Sequence, residues 1–340
     1  MQFITQGKTN WKFLLIVIFL AIITGGGALW YAKRPERPYQ PVEIQKTEKV
    51  ATTLEVNLTT TKLAVIPEEY RFDPRSNLYA FSPDGRRVAY KVSNTRERKE
   101  NEEIMFPEYP NYIMEEFMVI DGQKGKTYNL VYPGVFSPDG KQFAYQVFSA
   151  ENKKVLVVLD GKEGKSYDEI FRSIKFSPDS KQLAYMAREG KKWFVVVNGK
   201  ESEAYDMVDD LIFSPDGKKI AYHAWKKDKG EFIVVNGKEG KTYEFTAHPV
   251  FSPDSKNIAY VAGGGFGGKK FVVINEIENE RKYDLIYTLV FSPDSKQLAY
   301  VIGMYLPGMR EKRWVVINGN EGKPCLLYTS PSPRDRTRPR

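Results

Sequence analysis

The decapeptide FSPDSKQLAY, residues Phe176 to Tyr185, decides how this chain is read, because it recurs. FSPDGRRVAY begins at Phe81, FSPDGKQFAY at Phe136, FSPDGKKIAY at Phe213, FSPDSKNIAY at Phe251, and FSPDSKQLAY again at Phe291. Successive copies are 55, 40, 37, 38 and 40 residues apart, a period that marks a repeat architecture. A second block runs between them: FMVIDGQKGKTY, VLVVLDGKEGKSY, WFVVVNGKESEAY, EFIVVNGKEGKTY, FVVINEIENERKY and an incomplete WVVINGNEGK.

Each unit reads as four strands. Strand a ends at the Phe, and Ser-Pro-Asp makes the turn, with Pro fixing φ near −65° and Asp suiting the next position. The fourth turn position is Gly85, Gly140 or Gly217 in three copies, as left-handed geometry requires, and Ser180, Ser255 or Ser295 in the others. Strand b alternates apolar residues. Strand c is rich in Val and Ile and ends in Asp-Gly or Asn-Gly, a strong hairpin signal. Strand d carries Tyr128, Tyr167, Tyr205, Tyr243 or Tyr283. Four antiparallel strands every forty residues is the blade of a β-propeller, and residues 54–324 contain no helical periodicity that would suit an α-solenoid. The expected fold is therefore all-β, a six-bladed β-propeller over residues 54–324 with an N-terminal transmembrane helix. Glu68 to Asp73, with Tyr70, would supply the strand d that the last unit lacks. Seven blades is the alternative.

The FSPDGKxxAY motif resembles the WD-repeat-like repeats of TolB and of the propeller domains in dipeptidyl peptidase-type enzymes. The resemblance covers roughly residues 76–318. It implies a TolB-like propeller but no activity, because this chain shows neither the N-terminal α/β domain of TolB nor a hydrolase domain, and fold does not fix function.

The chain has 340 residues and a net charge of +8, which would invite a nucleic-acid reading. Lys8, Lys12, Lys33, Arg34 and Arg37 against Glu36 place +4 in residues 1–40, and Arg334, Arg336, Arg338 and Arg340 against Asp335 place +3 in residues 325–340. Only +1 remains for the body, so no nucleic-acid partner is expected. After a short tail (1–12), residues 13–32 are uncharged and open FLLIVIFLAII, long enough to cross a bilayer and flanked by Trp11, Trp30 and Tyr31. They read as a membrane anchor; the alternative is a cleaved signal peptide with Gly26-Gly27-Ala28 as the processing site. Either way the body is expected outside the cytoplasm, periplasmic or extracellular, and monomeric. Residues 33–53, with three prolines and mixed charges, read as an extended linker. Residues 325–340 break the pattern. Cys325 to Asp335 resembles a translated transposase mosaic-end adapter, and the segment reads as a sequencing artefact.

Chemistry is sparse. One cysteine and two histidines exclude a disulfide framework and a His- or Cys-built metal cluster, and no cofactor is expected. The Gly125-Lys126-Thr127, Gly164-Lys165-Ser166 and Gly240-Lys241-Thr242 tripeptides lack the upstream glycine and following helix of a phosphate-binding loop. Asp84 and its counterparts read as turn formers rather than acids or calcium ligands. His223 and His248 read as structural, and Gly263 to Gly268 as a flexible b–c loop. What remains is a binding surface on the b–c loops, with Phe106, Tyr109, Tyr112, Trp225, Phe266 and Tyr305 as candidate partner-binding residues for a protein, peptide or glycan. The leading reading is thus a non-catalytic binding or scaffold module. The alternative is a propeller hydrolase or lyase with its site at the channel mouth.

Overall fold

The computed structural model describes residues 79–99, 111–171, 174–306 and 310–322. The expected anchor, linker and terminal tail lie outside them, as do Phe106 and Tyr109. Among the described residues there is no α-helix, and no helix long and apolar enough to cross a membrane.

The strands form six antiparallel sheets in chain order, I (79–124), II (130–167), III (169–201), IV (207–239), V (245–278) and VI (285–321). Sheet IV shows the plan. Strand a is Met207–Phe213, b is Ile220–Lys226, c is Gly230–Val235 and d is Lys238–Glu239, paired in that order. Alternation sends neighbouring side chains to opposite faces. Tyr222, Ala224, Phe232 and Val234 pack toward sheet III, and Ala221 and Ile233 toward sheet V. Five apolar clusters each join two consecutive sheets, which is the blade-on-blade packing of a propeller. The alanine of each decapeptide (Ala89, Ala144, Ala184, Ala221, Ala259, Ala299) is buried. It lets the sheets approach, and a larger side chain there would cost about 1–3 kcal/mol in overpacking.

The turns follow the expected chemistry. Gly85, Gly140 and Gly217 have φ of 69° to 74°, and Ser180, Ser255 and Ser295 have φ of 60° to 62°. The serines offset their strain with bonds between sheets. Ser180 Oγ accepts the Asp139 N–H at 3.0 Å, Ser255 Oγ that of Asp216 at 2.9 Å, and Ser295 Oγ that of Asp254 at 2.9 Å. Within each turn the Ser before the Pro donates its hydroxyl to the Asp, as Ser177 does to Asp179 at 2.6 Å. That bond first, then backbone N–H groups, holds Asp84, Asp139, Asp216, Asp254 and Asp294 below the usual carboxylate range. At the c–d hairpins, the Asx side chain accepts the N–H that opens strand b, as Asn198 does from Leu183 at 2.8 Å.

A fork on strand d joins the outer edges. Lys165 Nζ and Tyr167 Oη of sheet II both donate to Glu201 of sheet III, at 2.6 and 2.8 Å. Lys126 and Tyr128 do the same to Glu163, and Lys241 and Tyr243 to Glu278. The tripeptides that mimic a phosphate loop are therefore inter-sheet ion pairs.

One expectation is corrected. Sheet VI has its own fourth strand, Asn320–Glu321, paired with strand c through Val316 and Ile317. Glu68 to Asp73 is not needed to complete it.

Candidate functional site

The b–c loops and d–a connections share one end of the molecule. The residue after the strand-d tyrosine makes the link in four sheets. Asn129 Oδ1 accepts the Ala150 N–H at 2.8 Å, Asp168 that of Gly190 at 2.6 Å, Asp206 that of Lys227 at 2.9 Å and Glu244 that of Gly265 at 2.9 Å. Lysines at the head of strand c neutralise carboxylates at this position: Lys154 on Asp168 at 2.7 Å, Lys192 on Asp206 at 2.8 Å and Lys269 on Asp284 at 2.5 Å. The Lys154 and Lys192 hydrogen bonds are the main reason that Asp168 and Asp206 titrate low.

An opening on this end lies between sheets II and III. In sheets IV to VI strand a is one seven-residue strand with a bulge. In sheet II it breaks into Leu130–Val131 and Val135–Phe136, and in sheet III into Glu169–Ile170 and Lys175–Phe176. Pro133 explains the first break, since it has no N–H for the ladder. Gly134 fits because a Cβ there would lie 2.3 Å from the Phe143 ring. The breaks leave a cavity of about 500 Å³ lined by Tyr132, Gln146, Phe148, Ile170 and Phe171, with Asp168 and Glu169 at its rim. A second, of about 320 Å³, adjoins it through Tyr132 and Gln146 and reaches Ile174. Phe171 is exposed, and its ring stands edge-on to Trp193 at 6.4 Å. Gln146 is buried and donates to the Ile170 carbonyl at 3.4 Å. The walls are aromatic and the rim charges are paired, as Arg188 is to Glu169 at 2.9 Å.

Of the residues singled out from the sequence, the four described ones lie on four different sheets. Tyr112 is exposed at the start of strand c in sheet I, and Trp225 is half-buried at the end of strand b in sheet IV. Phe266 is fully exposed on sheet V, and Tyr305 lies on strand b of sheet VI. None lines the cleft between sheets II and III. A sequence signal for the cleft existed in Pro133-Gly134, which interrupts a strand a that sheets IV to VI keep whole.

One other reading changes. The Gly263–Gly268 loop is organised: Lys270 Nζ donates to the carbonyls of Gly264, Gly265 (2.8 Å) and Gly268 (3.1 Å), and burial pushes its pKa down. Phe266 is held at the tip. His223 is buried within strand b, with Nε2 3.3 Å from Glu231 Oε2, which in turn accepts the Thr246 N–H at 2.6 Å. The equivalent site in sheet I is a buried ion pair. There Glu116 accepts from Lys91 Nζ at 2.7 Å, Ser93 Oγ at 2.8 Å and the Val131 N–H at 2.7 Å. Among the described residues no group of three or more His, Cys, Asp or Glu is disposed to hold a metal ion.

No protein-family profile and no curated protein matches the chain. Among solved structures it is similar to TolB from Acinetobacter baumannii, at 20% identity over 62% of this chain and 58% of that one, with a TM-score of 0.35. It is also similar to the β-propeller domain of the Trilobed protease from Pyrococcus furiosus, at 15% identity, 72% and 84% coverage and a TM-score of 0.36. Prolyl oligopeptidase B from Galerina marginata gives 10% identity, 72% and 41% coverage and a TM-score of 0.37. The chain thus spans little more than half the length of the TolB structure. At these scores the likenesses carry no functional weight, and the blade organisation rests on the strand pairing itself.

Proposed function

We propose that this protein is a non-catalytic binding module: a TolB-like propeller tethered to a membrane through residues 13–32 and displayed outside the cytoplasm. Its primary recognition site is the cleft between sheets II and III, and its ligand is an extended peptide segment of a partner protein. One observation carries the reading. Tyr132, Phe148, Ile170 and Phe171 form an apolar cleft on a rigid sheet scaffold, while the carboxylates around it are already neutralised by Lys154 and Arg188. Aromatic anchors ringed by satisfied polar groups are the anatomy of a recognition hot spot. Peptides selected by display on the full chain should bind the Tyr132→Ala, Phe171→Ala double variant at least tenfold more weakly, with the melting temperature unchanged. Equal binding would remove the cleft from the proposal, and selection of glycans in place of peptides would change the ligand class.

One observation favours the enzymatic alternative. A cavity of about 440 Å³ on the inner strands is lined by Asp210, His248, Tyr287 and Thr288, with His248 Nδ1 3.9 Å from Asp210 Oδ2. Both residues are exposed and sit at bulges with positive φ. Screening hydrolytic and lyase substrates against the Asp210→Asn, His248→Ala variant tests it: activity lost in that variant would establish the enzyme.

A further inference from the structure

Phe266 stands fully exposed at the tip of the b–c loop of sheet V, between Gly263-Gly264-Gly265 and Gly267-Gly268. The loop holds no other side chain. A protein pocket that takes an aromatic anchor fixes its register through polar side chains around that anchor, and this loop has none to offer. A hydrocarbon layer needs none.

What a hydrocarbon layer does require is that backbone polar groups be satisfied before they leave water. The loop meets that demand from within. Lys270 Nζ donates to the carbonyls of Gly264, Gly265 and Gly268. The Gly265 N–H goes to Glu244 Oε2 at 2.9 Å. The Gly264 N–H goes to the Lys269 carbonyl at 3.1 Å, and the Gly268 N–H to the Gly265 carbonyl at 3.0 Å. One phenyl ring is thus held forward on a loop whose carbonyls and amides already have partners behind it.

The end that carries Phe266 is apolar at other points too. Tyr112 is exposed at the start of strand c in sheet I, Met207 at the start of strand a in sheet IV, and Met304 late in strand b of sheet VI. At the opposite end the a–b turns present Arg86, Lys141, Lys181 and Lys256, each with more than four-fifths of its side chain exposed. The strand Tyr79–Phe81 runs toward such a turn, so the chain enters sheet I from the b–c side. Only residues 33–78 stand between that entry and the uncharged segment 13–32. Along the chain, the apolar end is therefore the one nearer the membrane anchor.

We propose that the Gly263–Gly268 loop is a membrane-contact element, with Phe266 inserting into the bilayer in which residues 13–32 are anchored. The inference rests on the membrane-tethered reading above. A single ring partitions too weakly to hold a free protein on lipid, but a tether raises the effective concentration of the surface it meets. The ring then orients a molecule that the anchor retains, with the b–c end toward the lipid. Contact through one loop tip leaves the cleft between sheets II and III accessible.

The test uses the full chain in vesicles of phosphatidylcholine and phosphatidylglycerol, doped with a phosphatidylcholine that carries a diazirine in its acyl chain. After illumination, tryptic peptides are mapped by mass spectrometry. Peptide 257–269 should carry lipid adducts within Gly263–Gly268. Phe266→Ser should lower them about tenfold or more, the weight of one buried phenyl ring, with the melting temperature unchanged because the native side chain is fully exposed. Peptide 13–33 reports on the anchor separately. Adducts on the loop without adducts on 13–33 would support the contact and remove the anchor. A loop without adducts, whatever 13–33 shows, would overturn the contact and leave Phe266 to a protein partner. Equal loop labelling in Phe266→Ser and the parent chain would overturn it as well.

Discussion

Tyr167 Oη donates to Glu201 Oε1 at 2.8 Å across the boundary between two sheets, and Lys165 Nζ reaches the same oxygen at 2.6 Å. Burial, then this carboxylate, keeps the phenol neutral far into the alkaline range, while Lys165 chiefly holds Glu201 below its ordinary value. A neutral donor and a cation thus share one acceptor at four of the described joints, the one between sheets III and IV excepted.

Removing the acceptor should cost more than removing the cation. Glu201→Ala strands the buried Tyr167 hydroxyl, and a lost partner for a buried group costs about 1–3 kcal/mol. Lys165→Ala removes a largely exposed charge, for which roughly 0–1 kcal/mol is expected. Denaturant titration of the two variants checks the ranking; equal losses would show that the phenol bond contributes nothing beyond the ion pair.

Acid should unfold the protein over a defined window. The turn aspartates titrate below 3.8, mainly through their serine bonds, and Glu163, Glu201 and Glu278 below 4.5, mainly through their lysines. Carboxylates depressed by folding stabilise fully above their unfolded values and lose that contribution as pH falls through the folded ones. The melting temperature should therefore hold from pH 7 to about 5 and fall steeply below about 4.5. At the other extreme, burial pushes Tyr185 and Tyr260 up to about 12 from 10.0. A raised group stabilises below its unfolded value, so stability should decline again between those two values. A midpoint flat down to pH 3 would contradict the fork geometry.

The left-handed turns should respond to backbone chemistry with opposite signs. Sheet V alone replaces the hairpin glycine, with Glu276 at φ 69°. Glu276→Gly should stabilise by roughly 0.5–1 kcal/mol, since a side chain in this region is strained by about 1–2 kcal/mol. At Gly217 a Cβ would lie 2.5 Å from Asp179 Oδ1 of the previous sheet. Gly217→Ala should destabilise by about 1–3 kcal/mol. Thermal melts of both variants decide it.

Phe266 offers a local readout. Lys270→Met removes the ammonium that gathers the three glycine carbonyls, so chymotrypsin should cut after Phe266 several-fold faster while the global melting temperature moves little. An unchanged cleavage rate would mean that the glycine loop holds its form without the lysine.

Much of the fold was legible because its signals are local and repeated. Pro and Asp in each Ser-Pro-Asp turn, the Asx-Gly hairpins and the alternation along strand b all act within a few residues. The candidate site was less legible because it depends on what sheets II and III do together. Pro133 marks a broken strand in sequence, but nothing near it says that the break opens beside Phe148 and Phe171. Exposed aromatics drew attention to Phe266 and Trp225, which belong to different sheets. The fate of the Gly263–Gly268 loop turned on Lys270, a residue just past its end that reads as an ordinary strand lysine. Likewise the Ser variants of the turn look merely strained until the neighbouring sheet supplies an aspartate N–H.

The one-way sense of the strand-d forks makes the row of sheets a polar object, with a donating end and a receiving end. A row built only from identical joints could keep adding copies head to tail, as open heterologous contacts do. Here the first sheet carries Lys124 where the later sheets carry a glutamate, so the joint that links the later sheets has no acceptor there.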